Sequence, residues 1–146
     1  MLRERWQPDA LALEPTVVSI LVGVNDTWRR FGSGEVTSVE EYEEHYRAVL
    51  DVTRDRLDPR FVLIEPFVLP VAPVTPAWRE DLDPRIHVVR RLATEHGAVL
   101  VPADGLFAAA ATRTPPETWA FDGVHPTPAG HGLLAEAWLR AVGLEG

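Results

Sequence analysis

Two short stretches of the chain hold side chains of the kinds that move protons and stabilise negative charge. Asp122 and His125 stand three apart in Asp122-Gly123-Val124-His125-Pro126. A single turn with that spacing can set a carboxylate against an imidazole. Such a partner holds the histidine's tautomer and stabilises the imidazolium when the ring acts as a base. The same residues also suit a plain turn leading into a helix, with a surface aspartate and a locally bonded histidine. Gly23 and Asn25 stand in Gly23-Val24-Asn25-Asp26, directly after an apolar run over residues 17–22. The carboxyl end of a parallel strand is where open α/β sheets place ligands. An Asn amide there can donate to a developing oxyanion, and a glycine lets the backbone approach closely; removing one such donor costs about 10²–10³ in rate. An ordinary Asn-Asp turn would account for the same residues, with Asp26 holding the loop.

A base and an oxyanion donor call for a nucleophile, and its identity is unknown from the sequence. Cysteine is absent, and the serines are Ser19, Ser33 and Ser38. Ser19 falls inside the apolar run and is expected to be buried, while Ser38 reads as a helix cap. Ser33 lies in Phe31-Gly32-Ser33-Gly34-Glu35, which reads as a flexible stretch. Gly23, Trp28 and Trp119 are the candidates for shaping a substrate pocket. His45, His87, His96 and His131 fall at helical positions without ligand spacing. Asp122, His125 and Asn25 lack a third strong ligand, so neither a metal nor another cofactor is expected.

Trp119-Ala120-Phe121-Asp122-Gly123-Val124-His125-Pro126-Thr127 and Gly23-Val24-Asn25-Asp26 together resemble two signature blocks of the SGNH (GDSL) family of serine esterases and acyl hydrolases. The resemblance spans the whole chain, as the C-terminal two-thirds of such an enzyme. The family's Gly-Asp-Ser nucleophile block and its second block, with a glycine, have no counterpart here. The resemblance implies His125 as base, Asp122 as its orienting partner and Asn25 as an oxyanion donor. It also implies a small-molecule ester substrate, a short acyl ester and possibly an acetyl group on a carbohydrate, with this chain inactive alone for want of its serine. The alternative is a non-catalytic binding or oligomerisation module derived from the same fold.

The elements that must position these residues can be read from periodicity. Residues 17–24, 60–66 and 98–102 are apolar runs expected to form strands buried on both faces. A helix is expected from Ser38, where Ser38 and Glu41 have capping-box spacing, with Val39, Tyr42, Tyr46, Val49, Leu50 and Leu57 on its apolar stripe. A second is expected from about Pro84 with Asp83 as cap, and a short turn or helix over residues 106–111. A last one, capped by Thr127 with Pro128 at its first position, would turn Leu133, Leu134, Ala137, Trp138 and Ala141 inward. Trp6, Leu11 and Leu13 fit the end of a leading helix. Strand and helix in alternation imply one α/β domain over residues 1–146, a three-layer α/β/α sandwich on a parallel sheet. The resemblance gives that sheet five strands, of which this chain supplies three, the N-terminal strands being missing. An apolar first strand is uncomfortable at a sheet edge, so a neighbouring strand is expected from a longer chain, a partner or a homodimer.

At 146 residues the chain can bury a sizeable core. Its formal net charge of −8 excludes a nucleic-acid partner, since phosphate neutralisation needs basic residues in excess. No apolar run approaches the length that spans a bilayer, so no membrane partner is expected. The charged start Leu2-Arg3-Glu4-Arg5 is unlike a signal peptide, which makes a cytoplasmic location the default expectation.

Overall fold

The computed structural model describes residues 2–144. Three strands, β1 (Val17–Leu21), β2 (Arg60–Ile64) and β3 (Val99–Val101), form one parallel sheet in the order β1-β2-β3. Val17 pairs with Arg60 and Leu21 with Ile64, and Ile64 in turn with Val101. Among the described residues six α-helices surround it: α1 (Leu2–Asp9), α2 (Val24–Gly32), α3 (Val39–Leu57), α4 (Trp78–Glu95), α5 (Ala103–Ala111) and α6 (Pro128–Val142). This is the expected α/β sandwich. Val18, Ile20, Phe61 and Leu63 point to one face, where α1, α3 and α4 cover them with Trp6, Tyr46, Leu50, Val89 and Leu92. On the other face Ile64 packs with Phe67, Phe107, Leu133 and Leu134 beneath α5 and α6. A third apolar cluster joins Val24, Trp28, Val68, Trp78, Leu82, Ile86 and Val124. It ties α2 and the Asp122–His125 loop to α4.

Several expectations need correction. β1 ends at Leu21, and its burial alternates instead of being complete: Val17 and Leu21 remain 45% and 39% exposed. Ser19 is exposed too, against the expectation that it is buried. The reason is that α6 packs mainly over β3 and reaches β1 through the Trp138 indole, which donates to Ser19 Oγ at 2.9 Å. Accordingly Leu133, Leu134, Ala137, Trp138 and Ala141 are half-buried. Leu13 is 74% exposed, whereas Trp6 and Leu11 are buried as expected. Helix α4 starts at Trp78, six residues before Pro84. Burial of Trp78 against Trp28 and Phe31 anchors that extra turn, and Asp83, expected as its cap, pairs with Arg79 within it. The expected cap at Ser38 is present, its hydroxyl accepting from the Glu41 amide at 3.1 Å.

A nine-residue helix follows β1 in place of a turn. Gly23, at φ +124°, makes the bend that starts it. A Cβ there would stand 3.0 Å from the Tyr42 hydroxyl and 3.2 Å from Pro66 Cγ, so both its backbone angle and its surroundings select glycine. So short a helix has little stability of its own. The half-buried Val24 and Trp28 pack against α4, and Phe31, 40% exposed, stacks on Trp78.

Candidate active site

The Asp122–His125 loop is closed at its base before it presents any chemistry. Ala120 and Pro126 form an antiparallel bridge, and the Thr127 amide donates to the Trp119 carbonyl at 2.9 Å. Thr127 then caps α6, accepting from the Gly130 amide at 3.1 Å. Gly123, at φ +86°, lets the loop lie against the segment that follows β2, where the Leu69 amide donates to the Gly123 carbonyl at 2.8 Å. A Cβ on Gly123 would meet the Leu69 carbonyl oxygen at 2.6 Å.

Within this frame Asp122 uses its two oxygens differently. Oδ1 accepts from the Val124 and His125 amides, at 3.1 and 2.9 Å. Oδ2 lies 2.7 Å from His125 Nδ1. Burial pushes the Asp122 carboxyl up, but those two amides and the His125 ring outweigh it, and the group is held below its ordinary value. An ionised carboxylate can only accept, so Nδ1 carries the proton and Nε2 is left as the basic nitrogen. The histidine side chain is 61% exposed, whereas that of Asp122 is 19% exposed.

His125 is flanked by two rings. Phe121 stacks on it with centroids 5.9 Å apart, and Trp28 meets it edge-on at 5.7 Å. Trp28 belongs to α2, the helix whose first turn carries Asn25, and Val24 shares an apolar cluster with Val124. The two sequence motifs are therefore brought together at one end of the molecule. Asn25 is exposed and borders a cavity of about 570 Å³, also lined by Leu21, Gly23, Tyr42 and Tyr46 along the outer edge of β1.

The remaining candidates separate clearly. Trp119, expected at the pocket, packs instead with Leu133, Leu134 and Ala120 beneath α6. Ser33 ends α2, with its amide and hydroxyl both on the Arg29 carbonyl. It lies roughly 12 Å from Asn25 along the helix axis, given about 1.5 Å of rise per residue. Ser19 and Ser38 are held by Trp138 and by the α3 cap. His96 bonds Asp51 and the Leu92 carbonyl, away from the site. No group of three metal-ligating side chains occurs among the described residues, and no helix there is long and apolar enough to cross a membrane.

Sequence reasoning missed three contributors. Phe121 stands within the motif itself, and its exposure of 63% was the only clue withheld by the sequence. The segment over residues 66–74 has no periodicity to mark it as the seat of the histidine loop. Asp81 binds α2 from within α4, although Val24, Trp28 and Phe31 at helical spacing could have revealed that helix.

Comparison with known proteins agrees with the fold. The sequence model described as the GDSL-like lipase/acylhydrolase family matches residues 1–133. An acetylxylan esterase from Geobacillus stearothermophilus is 33% identical over 148 residues, covering 99% of this chain and 67% of that protein. The crystal structure of an acetylxylan esterase from the same organism superposes with a TM-score of 0.87 at 32% identity, over 99% of this chain and 67% of that chain. A protein from Parabacteroides merdae assigned as a GDSL-like lipase gives a TM-score of 0.94 at 39% identity, again over 99% of this chain and 67% of the other. An alpha/beta hydrolase from the metagenome of Lake Arreo gives 0.88 at 31% identity, over 99% and 68%. The chain thus spans about two-thirds of the length of these relatives.

Proposed function

The chain belongs to the GDSL-like lipase/acylhydrolase family, and on that premise we propose that it carries the base and oxyanion half of an acetyl-ester hydrolase acting on acylated carbohydrate. In this reading His125 Nε2 takes the proton of a serine hydroxyl as that oxygen attacks the ester carbonyl. It then returns the proton to the departing alkoxide. Asp122 keeps Nδ1 protonated and stabilises the imidazolium. The Asn25 amide donates to the tetrahedral oxyanion. The supporting magnitudes are about 10²–10⁴ for a positioned general base and about 10²–10³ for one oxyanion donor.

The observation that carries the proposal is the 2.7 Å bond from His125 Nδ1 to Asp122, on a ring that also touches the Asn25 helix through Trp28. The Geobacillus acetylxylan esterase supports it. Its catalytic mutants replace a serine, an aspartate and, three positions after the aspartate, a histidine. That spacing is the spacing of Asp122 and His125. In that enzyme the serine precedes the aspartate by more than the whole stretch from Met1 to Asp122. We therefore assign the nucleophile to none of Ser19, Ser33 and Ser38, and place its docking along the cavity beside β1 and Asn25.

The test joins a strand and Gly-Asp-Ser segment from such a relative ahead of Met1 and assays aryl acetates and acetylated xylo-oligosaccharides. The expected result is acetate release from the joined protein, lost in His125→Ala, and none from the 146 residues alone. A joined, folded protein inactive on every short acyl ester would overturn the reading. So would activity of the 146 residues that survives Ser33→Ala. The uncovered edge of β1 favours one other reading, a module that pairs through that edge, homodimerisation included. Sedimentation showing a stable monomer over the micromolar range removes the homodimer.

A further inference from the structure

We propose that Asp81 is a positioning residue that fixes the rotation of α2 and thereby aims Asn25 and Trp28 at the site; the inference rests on the reading of Asn25 and His125 given above. Asp81 is 3% exposed and Arg85 is fully buried. Asp81 Oδ2 accepts from the Thr27 hydroxyl at 2.7 Å and from Arg85 Nε at 3.2 Å. Its Oδ1 accepts from an Arg30 guanidinium nitrogen at 2.8 Å and from Arg85 at 3.3 Å. Arg85 also donates to the Thr37 carbonyl at 2.7 Å, and its guanidinium lies 5.2 Å over the Tyr42 ring. The Tyr42 hydroxyl donates to the Val22 carbonyl at 3.1 Å, just before the bend at Gly23. One buried ion pair therefore touches two successive turns of α2 and the polypeptide after it, and through the Tyr42 ring it reaches the polypeptide before it.

A buried ion pair is weak evidence of added stability, because apolar residues of equal volume often serve as well. What this pair supplies is direction. The contacts of Trp28 and Phe31 with Trp78 hold α2 down by burial, which is not directional. Thr27 and Arg30, three apart on one side of the helix, remove its freedom to roll. An atom at a side-chain radius of about 5 Å moves about 1 Å for each roughly 12° of roll. A misplacement of about 1 Å can cost about 10² in rate.

The experiment uses Thr27→Val, Thr27→Ser and Asp81→Asn in the 146-residue chain, followed by amide hydrogen exchange and by contacts between the Trp28 and His125 rings in NMR spectra. Loss of a hydrogen bond to a charged acceptor predicts exchange about 10- to 100-fold faster at α2 amides, with α3 amides unchanged. The Trp28 to His125 ring contact weakens in the same variants, and Thr27→Ser restores both. Uniform acceleration across α2, α3 and α4 would show a merely stabilising role and overturn the proposal. Unchanged α2 exchange, or failure of serine to rescue, would also overturn it. If Asp81→Asn does not fold, Thr27→Val decides, since it leaves the Asp81–Arg85 pair in place. None of these readouts uses esterase activity, so an inactive joined protein would count against the function above without touching this result.

Discussion

Replacing Gly130 and Gly132 by alanine, one at a time, is a sharp test of how the histidine loop is seated. Both glycines lie in the first half of α6, and on helix propensity alone each change would add roughly 0.8–1.0 kcal/mol. At Gly132 nothing lies within 4 Å of the new methyl, so the full gain is expected. At Gly130 the methyl carbon would stand 2.1 Å from the Trp119 carbonyl oxygen and 3.1 Å from Pro126 Cβ. The loop base and the helix must part by roughly 1 Å or more to reach ordinary contact. Overpacking of that kind costs about 1–3 kcal/mol. The Thr127 amide bond to that same carbonyl, worth about 1 kcal/mol, is stretched as well. Set against the propensity gain, the net expectation is a loss of about 1–3 kcal/mol. Urea denaturation with an unchanged m value measures it, and the His125 ring resonances should move in Gly130→Ala alone. Equal stabilisation by the two alanines would refute the reasoning, because it would mean that α6 does not press on the loop at Trp119.

Three further outcomes follow from the same geometry. In the joined protein, Asp122→Asn lowers kcat/KM by about 10³–10⁴, since the ring loses its carboxylate. It also lowers stability because a hydrogen bond to a charged acceptor is lost, although the amide oxygen can still accept from Val124 and His125; kinetics under conditions where a urea melt shows the variant folded separate the two effects. Asp81 and Asp122 are both held below their ordinary values. Burial pushes Asp81 up, but hydrogen bonds from Thr27, Arg85 and Arg30 outweigh it. Their stabilisation is therefore complete above the unfolded aspartate value of about 3.9 and is lost as pH falls through the lower folded values; a stability curve measured against pH should flatten below about pH 4 in Asp81→Asn. Gly23→Ala combines a left-handed φ with a methyl 3.0 Å from the Tyr42 hydroxyl, a cost of about 1–3 kcal/mol that should lower Tm by about 2–12 °C; a melt matching the unsubstituted chain would contradict it.

What the sequence by itself determined is local. The apolar runs at 17–24, 60–66 and 98–102 mark the three strands, although β1 ends at Leu21 and keeps alternate residues exposed. Ser38 and Thr127 fix two helix starts because their hydroxyls meet otherwise unpaired amides. Asp122 and His125 are close enough in the chain that one turn brings carboxylate and imidazole together. The tertiary structure decided everything that depends on distant partners. It made α2 a helix, through Trp78 and Asp81 on α4. It extended α4 back to Trp78 and withdrew Trp119 into the packing under α6. It also left alternate residues of β1 exposed, with the Trp138 indole of α6 reaching that strand at Ser19. Spacing along the chain constrains a side chain only within a turn or two; beyond that, its neighbours are chosen by which apolar faces the whole chain can bury at once.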